Sequence, residues 1–184
     1  MSKSRIHLLS RIAIMAALYV LLNNTIAIKA GNLRITFASL PVVVMALLFG
    51  PLEAMLTALA GEFINQLTGQ YGISVTLPLW LLPPAIRGLI VGLAAQLFRR
   101  SDRPLERRPL TCYAVCLTAA VATTLANTLA IAIDAVIGGY ATEIYIFGQL
   151  AHRIVSGIVV SLAVTTLAIP VVRLLPQHLQ RGVS

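Results

Sequence analysis

The sequence predicts an all-α integral membrane protein, a bundle of six transmembrane helices with both termini in the cytoplasm. Of its 184 residues, 58% are hydrophobic and only 11% are charged. A soluble domain of this size could not bury so much apolar surface. Several apolar runs approach the ~20 residues that a helix needs to cross a hydrocarbon core. We expect one membrane domain over residues 1–184, without a soluble domain or a removable signal peptide.

Apolar runs separated by turn residues place the six helices. Gly50-Pro51 predicts a tight turn between the second and third helices. Pro83-Pro84 is expected to kink the fourth helix or to delay its start. The segment Asn24 to Thr36 is expected to be a polar loop outside the cell. The predicted helices run from Ile6 to Asn24, Phe37 to Phe49, Pro51 to Leu67, Leu79 to Phe98, Thr111 to Val136 and Glu143 to Leu175.

The distribution of cations predicts the orientation in the membrane. Ten of the 14 Lys and Arg residues fall in the N-terminal segment, in the loop Arg99–Arg108 and in the C-terminal segment. Lys and Arg concentrate on the cytoplasmic side of membrane proteins, so these three segments are expected inside. Membrane topology therefore explains the net charge of +8, and we expect the lipid bilayer rather than nucleic acid as a partner.

The stretch Leu33 to Gly61 organises the prediction of a binding site. It begins with a cation, Arg34, passes through two apolar runs joined at Gly50-Pro51, and is followed by a carboxylate, Glu62. If both ends of this helical hairpin lie on one side of the membrane, Arg34 and Glu62 come close together. A polar ligand pocket could form there, at the rim of an apolar bundle.

Ionisable residues within membrane helices are candidates for function because they are costly to bury. The candidates are Glu62, Arg87, Asp134, His152 and Arg153. The alternative is that they extend to the outer interface or form an internal ion pair such as Glu62 with Arg87. We favour that alternative for Asp134 and His152, and a functional role for Glu62 and Arg87.

The sequence gives no support for an enzyme. It contains no Ser-x-x-Lys, His-Glu-x-x-His or Walker A pattern, so the chain is not expected to hydrolyse ATP itself. Cys112 and Cys116 would share a helix face, and we interpret them as small buried side chains. No metal site and no cofactor are predicted.

The sequence resembles a substrate-binding S component of the energy-coupling-factor (ECF) vitamin transporters, and it is most similar to the folate family. The resemblance covers the whole chain loosely and Leu33 to Gly92 more closely. Its more specific signals are Phe49-Gly50-Pro51 and Arg87-Gly88-Leu89-Ile90. The other matching features are Ala13-x-x-x-Ala17, Leu33-Arg34-Ile35-Thr36-Phe37, Leu40-Pro41, Gly61-Glu62 and Gly92.

The resemblance implies a non-catalytic subunit in the prokaryotic plasma membrane that captures a vitamin from outside. It implies docking on a transmembrane coupling protein through Ala13 and Ala17, with two partner ATPases supplying the energy. Small residues four apart let another helix approach closely, although packing within the same bundle would use the same strip.

If the vitamin is a folate, its groups suggest roles for particular side chains. Glu62 could accept hydrogen bonds from the pterin edge. The ring could lie against Phe37, Tyr71 or Trp80, although Tyr71 and Trp80 could equally anchor the protein at the membrane interface. The anionic tail could pair with a cation. The candidate cations are Lys29, Arg34 and Arg87.

The chain departs from the resemblance at one important position. Folate-family members often carry an aspartate near the position of Glu62, and a longer acid changes the depth of the pocket. Pantothenate, a queuosine precursor or another heterocycle therefore stays open as the ligand. An independent secondary transporter is a further alternative, for which Pro83-Pro84 could be a broken helix, but the other half of the chain offers no matching break.

The predicted topology can be tested by labelling single cysteines, in a variant with Cys112 and Cys116 replaced by alanine. Ser101→Cys lies in the arginine-rich loop and should react only with reagent supplied from the cytoplasm. Gly72→Cys should react only from outside, because the charge asymmetry places it on the other face. Labelling of both positions from the same side would contradict the six-span arrangement.

Overall fold

The computed structural model describes residues 3–30, 33–68, 74–99, 104–148 and 150–174, and these residues form a helical bundle as predicted. The helices are α1 (Lys3–Thr25), α2 (Ser39–Leu48), α3 (Pro51–Thr68), α4 (Leu77–Arg99), α5 (Pro109–Gly138), α6 (Glu143–Phe147) and α7 (Leu150–Leu174). A short 3-10 helix, Leu105–Arg107, precedes α5.

Four stretches of helix within the described ranges are long and apolar enough to cross a membrane: α1, α4, α5 and the stretch from α6 through α7. The ten-residue helix α2 is only about 15 Å long, half the thickness of a hydrocarbon core. The number of spans and the side on which each terminus lies stay predictions.

The expected outer loop Asn24 to Thr36 is wrong in part, because the chain there forms an antiparallel hairpin. Strand β1 (Ala27–Ala30) pairs with β2 (Leu33–Thr36), and Lys29 stands opposite Arg34. The two strands are separated in the sequence by Gly31-Asn32. A Gly-Asn pair between two short runs that contain β-branched residues is a hairpin signal, and the polar character of the segment concealed it.

The sixth predicted helix, Glu143 to Leu175, is two helices in the structure. Thr142 caps the start of α6, where its side chain accepts a hydrogen bond from the Tyr145 backbone N–H. Gly148 is the C-cap of α6, and α7 begins two residues later. Glycine is a poor helix former, which accounts for an interruption at this point in an otherwise apolar run.

Helix α2 lies at the centre of the bundle. It packs against α1, α3, α4 and α7, and every residue from Pro41 to Leu48 is buried. A helix that is apolar on all sides is stable only where protein or lipid surrounds it. Gly50, at φ +118°, then turns the chain into α3 with a backbone conformation that favours glycine.

Two glycines bring α4 against α3. A Cβ atom on Gly88 would lie 2.9 Å from the carbonyl carbon of Ala54, and one on Gly92 would lie 2.4 Å from the Cα of Pro51. The backbones therefore touch along the contact between the two helices, a form of packing common in membranes. This close approach gives a structural reason for the Arg87-Gly88-x-x-x-Gly92 pattern.

Arginines hold together the end of the bundle that is predicted to face the cytoplasm. Arg99 Nη2 donates to the Leu47 carbonyl at 2.9 Å. Arg173 donates to the Glu106 carbonyl through Nε at 2.9 Å and Nη2 at 2.6 Å. Cys112 and Cys116 are buried free thiols nearby on α5, as the sequence predicted.

Candidate functional site

A polar cavity of about 300 Å³ lies inside the bundle. Its wall includes Thr36, the last residue of β2, and residues of α1, α2, α3, α4, α5 and α7. These residues come from the late part of α1 and α3 and the early part of α2, α4 and α7, so they mark the end where the β-hairpin lies. The volume is at the lower end of the range for small-molecule sites.

The wall is rich in groups that can form hydrogen bonds. Within the described ranges, its charged residues are Glu62, Arg87 and Arg153, and its other polar residues are Tyr19, Thr36, Ser39, Trp80, Thr123, Thr124, Asn127 and Ser156. Such groups are expensive inside a membrane protein unless they find partners. Their concentration at one end of an otherwise apolar bundle is what a binding site for a polar molecule requires.

The Glu62 carboxylate is held in place from two helices. The Tyr19 hydroxyl on α1 donates to one carboxylate oxygen at 2.7 Å, and the Gln66 amide donates to the other at 2.7 Å. Asn65 lies 3.4 Å from both oxygens. An ionised carboxylate accepts several hydrogen bonds, and these contacts fix the orientation of Glu62.

Gly61 explains how Tyr19 reaches this carboxylate. A Cβ atom on Gly61 would lie 2.7 Å from the Cγ of Tyr19. Only a residue without a side chain lets the tyrosine approach α3 this closely. Gly61 and Glu62 therefore work together: the glycine leaves space for the tyrosine ring, and the tyrosine hydroxyl donates a hydrogen bond to the acid.

Arg87 faces the same cavity from α4. Its Nε donates a long hydrogen bond, 3.4 Å, to the Thr123 hydroxyl, and that hydroxyl donates to the Ala119 carbonyl at 2.6 Å. A guanidinium group carries five N–H donors in a rigid plane, so this contact occupies one of them. Arg87 is placed to donate to an acceptor in the cavity.

Pro83 and Pro84 also line the cavity. Helix α4 begins at Leu77, before the prolines, and continues through them. Because proline has no N–H, the helical bonds to the carbonyls of Leu79 and Trp80 cannot form. The double proline thus leaves backbone acceptors on the helix near the cavity. A delayed helix start, one of the two possibilities predicted from the sequence, is not observed, because α4 begins before the prolines.

The structure brings together three of the residues predicted for substrate binding, Glu62, Arg87 and Trp80. Phe37 instead packs against the hydrophobic core. Tyr71 and the side chains of Lys29 and Arg34 lie outside what the structure describes. Ala13 and Ala17 are exposed on α1.

Sequence reasoning did not assign Tyr19, Thr123 or Asn127 to the site. The polar residues of α5 gave a signal, since five Thr and Asn residues between Thr118 and Thr128 are unusual in an apolar run. Tyr19 gave no such signal, because a single aromatic residue in a membrane helix is usually explained by packing against its neighbours. Arg153 was a candidate only as an ionisable residue in a predicted membrane helix, and the structure places it on the cavity wall.

The hydrogen bonds of Asp134 connect elements of the fold, which indicates a structural role. Asp134 accepts hydrogen bonds from the Thr76 and Tyr140 hydroxyls, which ties the end of α5 to the residues before α4 and to the turn after α5. The hydrogen bond to Asp134 raises the pKa of Tyr140 to about 12. His152 is exposed at the start of α7.

Comparison with solved structures shows that the chain has the same fold as several S components. The chain superposes on ThiT from Listeria monocytogenes with a TM-score of 0.68 at 17% identity, over 95% of this chain and 98% of that one. It superposes on the S component of a bacterial ECF transporter with a TM-score of 0.63 at 18% identity, over 92% and 97% of the two chains. For an S component for biotin the TM-score is 0.54 at 14% identity, over 91% and 94%.

A comparison with curated proteins finds no match. A family model described as "ECF-type riboflavin transporter, S component" matches residues 3–173. That match spans nearly the whole chain and agrees with the fold of the three solved structures. The resemblance to ECF S components noted in the sequence is therefore confirmed, whereas its assignment to the folate branch is not. The chain belongs to the family of ECF-type riboflavin transporter S components, a family of multi-pass membrane proteins.

Proposed function

We propose that this chain captures a flat heterocyclic vitamin at the outer face of the membrane and delivers it to an ECF-type importer. The observation that carries the proposal is the cavity, in which an oriented carboxylate, a guanidinium group and an indole face one space. The chain acts as a binding subunit, and partner ATPases supply the energy for transport.

Riboflavin is the candidate that the family's description favours. The imide edge of its ring system offers two carbonyl acceptors beside one N–H donor. Arg87 could donate to a carbonyl while Glu62 accepts from the N–H, and Trp80 offers an aromatic face for the ring. The hydroxyl groups of the ribityl chain would find partners among Thr123, Asn127 and their neighbours on the wall.

Folate is the second candidate, and the charges on the wall favour it. A pterin edge presents an N–H and an amino group side by side, two donors that one carboxylate can accept together. The glutamate tail is an anion, and two guanidinium groups, Arg87 and Arg153, lie on the same cavity wall. The Glu62 carboxylate thus suits a pterin donor pair better than an imide, where acceptors flank the single donor.

Docking on the coupling protein is proposed to use α1. Ala13 and Ala17 are exposed and lie one helical turn apart, so the surface of α1 is flat there. Their neighbour Ala16 is buried at 2% exposure and packs inside the bundle. The exposed alanines are therefore available to a partner helix.

Titration of the purified protein with riboflavin and with folate tests the proposed substrate class. We expect saturable binding of one molecule per chain for at least one of the two, and weaker binding in Trp80→Leu because the ring loses its aromatic face. Leu129→Ala, at an exposed position of α5, is the control and should bind normally. Absence of binding for both vitamins would overturn the proposed substrate class.

The docking role predicts that Ala13→Trp or Ala17→Trp abolishes vitamin uptake while the affinity for the vitamin is unchanged. An indole would fill the flat strip and keep the partner helix away. Ala114→Trp, at an exposed alanine on α5, makes the same substitution on another surface and should transport normally. Uptake in cells and binding by the purified protein are measured for each variant. Equal loss of binding and uptake in the α1 variants would contradict the docking role.

A further inference from the structure

Two buried polar atoms of cavity-lining residues have no hydrogen-bond partner within the described parts of the chain. They are the Ser39 hydroxyl oxygen, at the start of α2, and Nη1 of Arg153, near the start of α7. Buried polar groups in folded proteins are nearly always paired, because an unmade hydrogen bond costs free energy. Two exceptions on the wall of one cavity need an explanation specific to that cavity.

The structural arginines of this protein behave differently. Arg99 and Arg173 each donate to a backbone carbonyl at the opposite end of the bundle, at distances of 2.6–2.9 Å. Those hydrogen bonds connect helix ends. Nη1 of Arg153 is buried and has no such acceptor among the described residues.

Positive charge exceeds negative charge among the described residues of the cavity wall. Among the described residues, those that line the cavity and carry charge are one acid, Glu62, and two arginines, Arg87 and Arg153. Glu62 already accepts hydrogen bonds from Tyr19 and Gln66. Uncompensated charge at membrane depth is expensive, so an anion entering the cavity would be favoured over a neutral molecule of the same shape.

We propose that Arg153 and Ser39 form an anion subsite, and that the natural ligand therefore carries a carboxylate or phosphate group. This inference rests on the proposed function and narrows the substrate class of the same cavity. A guanidinium plane and a hydroxyl supply the donors that an oxyanion accepts. Helices α2 and α7 pack against each other, which brings the two residues to one side of the bundle.

The ligand is then a molecule with two distinct ends. Its anionic group lies against α2 and α7, and its heterocycle or polar body reaches toward Glu62 on α3 and Trp80 on α4. Of the two candidate vitamins, folate has this form and riboflavin does not. The phosphate ester of riboflavin would also have it.

The test uses matched pairs of compounds that differ only in their anionic groups, titrated into the purified protein. The pairs are folate with its neutral dimethyl ester, flavin mononucleotide with riboflavin, and pantothenate with its neutral alcohol panthenol. In the pair that contains the natural class, we expect the anionic member to bind at least about tenfold tighter. The folate and pantothenate pairs report on a carboxylate, and the flavin pair on a phosphate.

Two variants assign that preference to the proposed residues. Arg153→Gln should reduce the preference for the anion to about threefold or less, because it weakens binding of the anionic member more than that of the neutral member. Ser39→Ala should weaken anion binding without lowering the melting temperature, because its hydroxyl makes no hydrogen bond in the described structure. Arg5→Gln, at an exposed position of α1, is the matched control and should retain the full preference.

The outcomes separate this inference from the proposed function. Equal binding of both members in every pair that binds would overturn the anion subsite and leave vitamin capture standing. Equal weakening of both members in Arg153→Gln would also overturn it, since it would show a general structural role. If no compound of any pair binds, the proposed substrate class fails and the anion subsite fails with it.

Discussion

The site depends on the need to hold one carboxylate inside a membrane-embedded bundle. Glu62 meets this need through the Tyr19 hydroxyl and the Gln66 amide, each donating at 2.7 Å. Donors on both sides fix its orientation. Gly61 makes the arrangement possible, because any side chain there would collide with the tyrosine ring. A residue that would be a liability in the apolar core thus becomes a fixed acceptor at the edge of a cavity.

The two ends of the bundle use their polar residues in opposite ways. At one end, Arg99 and Arg173 are bound to backbone carbonyls and close the structure. At the other end, Arg87 makes one long hydrogen bond and Nη1 of Arg153 has no partner among the described residues. Arginine donors are therefore available at the end with the cavity, where a ligand could bind, and are used in hydrogen bonds at the opposite end.

Much of the architecture followed from simple patterns in the sequence. Apolar runs located the helices to within a few residues, because the bilayer demands long uninterrupted spans. The hairpin β1–β2 and the break at Gly148 escaped prediction, since each depends on a few residues whose local preference competes with a longer polar or apolar trend. Glu62 and Arg87 stood out by their cost of burial, whereas Tyr19 and Ser39 acquire their positions only through packing between helices distant in sequence.

The central claim is that Glu62 is held for a ligand and not for the stability of the bundle. The most direct test compares the vitamin affinity and melting temperature of Glu62→Gln with those of Glu53→Gln, which alters the other acid of α3 at the opposite end of the helix. We predict that Glu62→Gln binds more than about tenfold more weakly, because losing one partner of a buried charged hydrogen bond costs about 2–5 kcal/mol. Its melting temperature should stay near that of the wild type, and Glu53→Gln should bind normally. Unchanged affinity together with a lowered melting temperature would show that Glu62 serves the fold, and it would contradict this account.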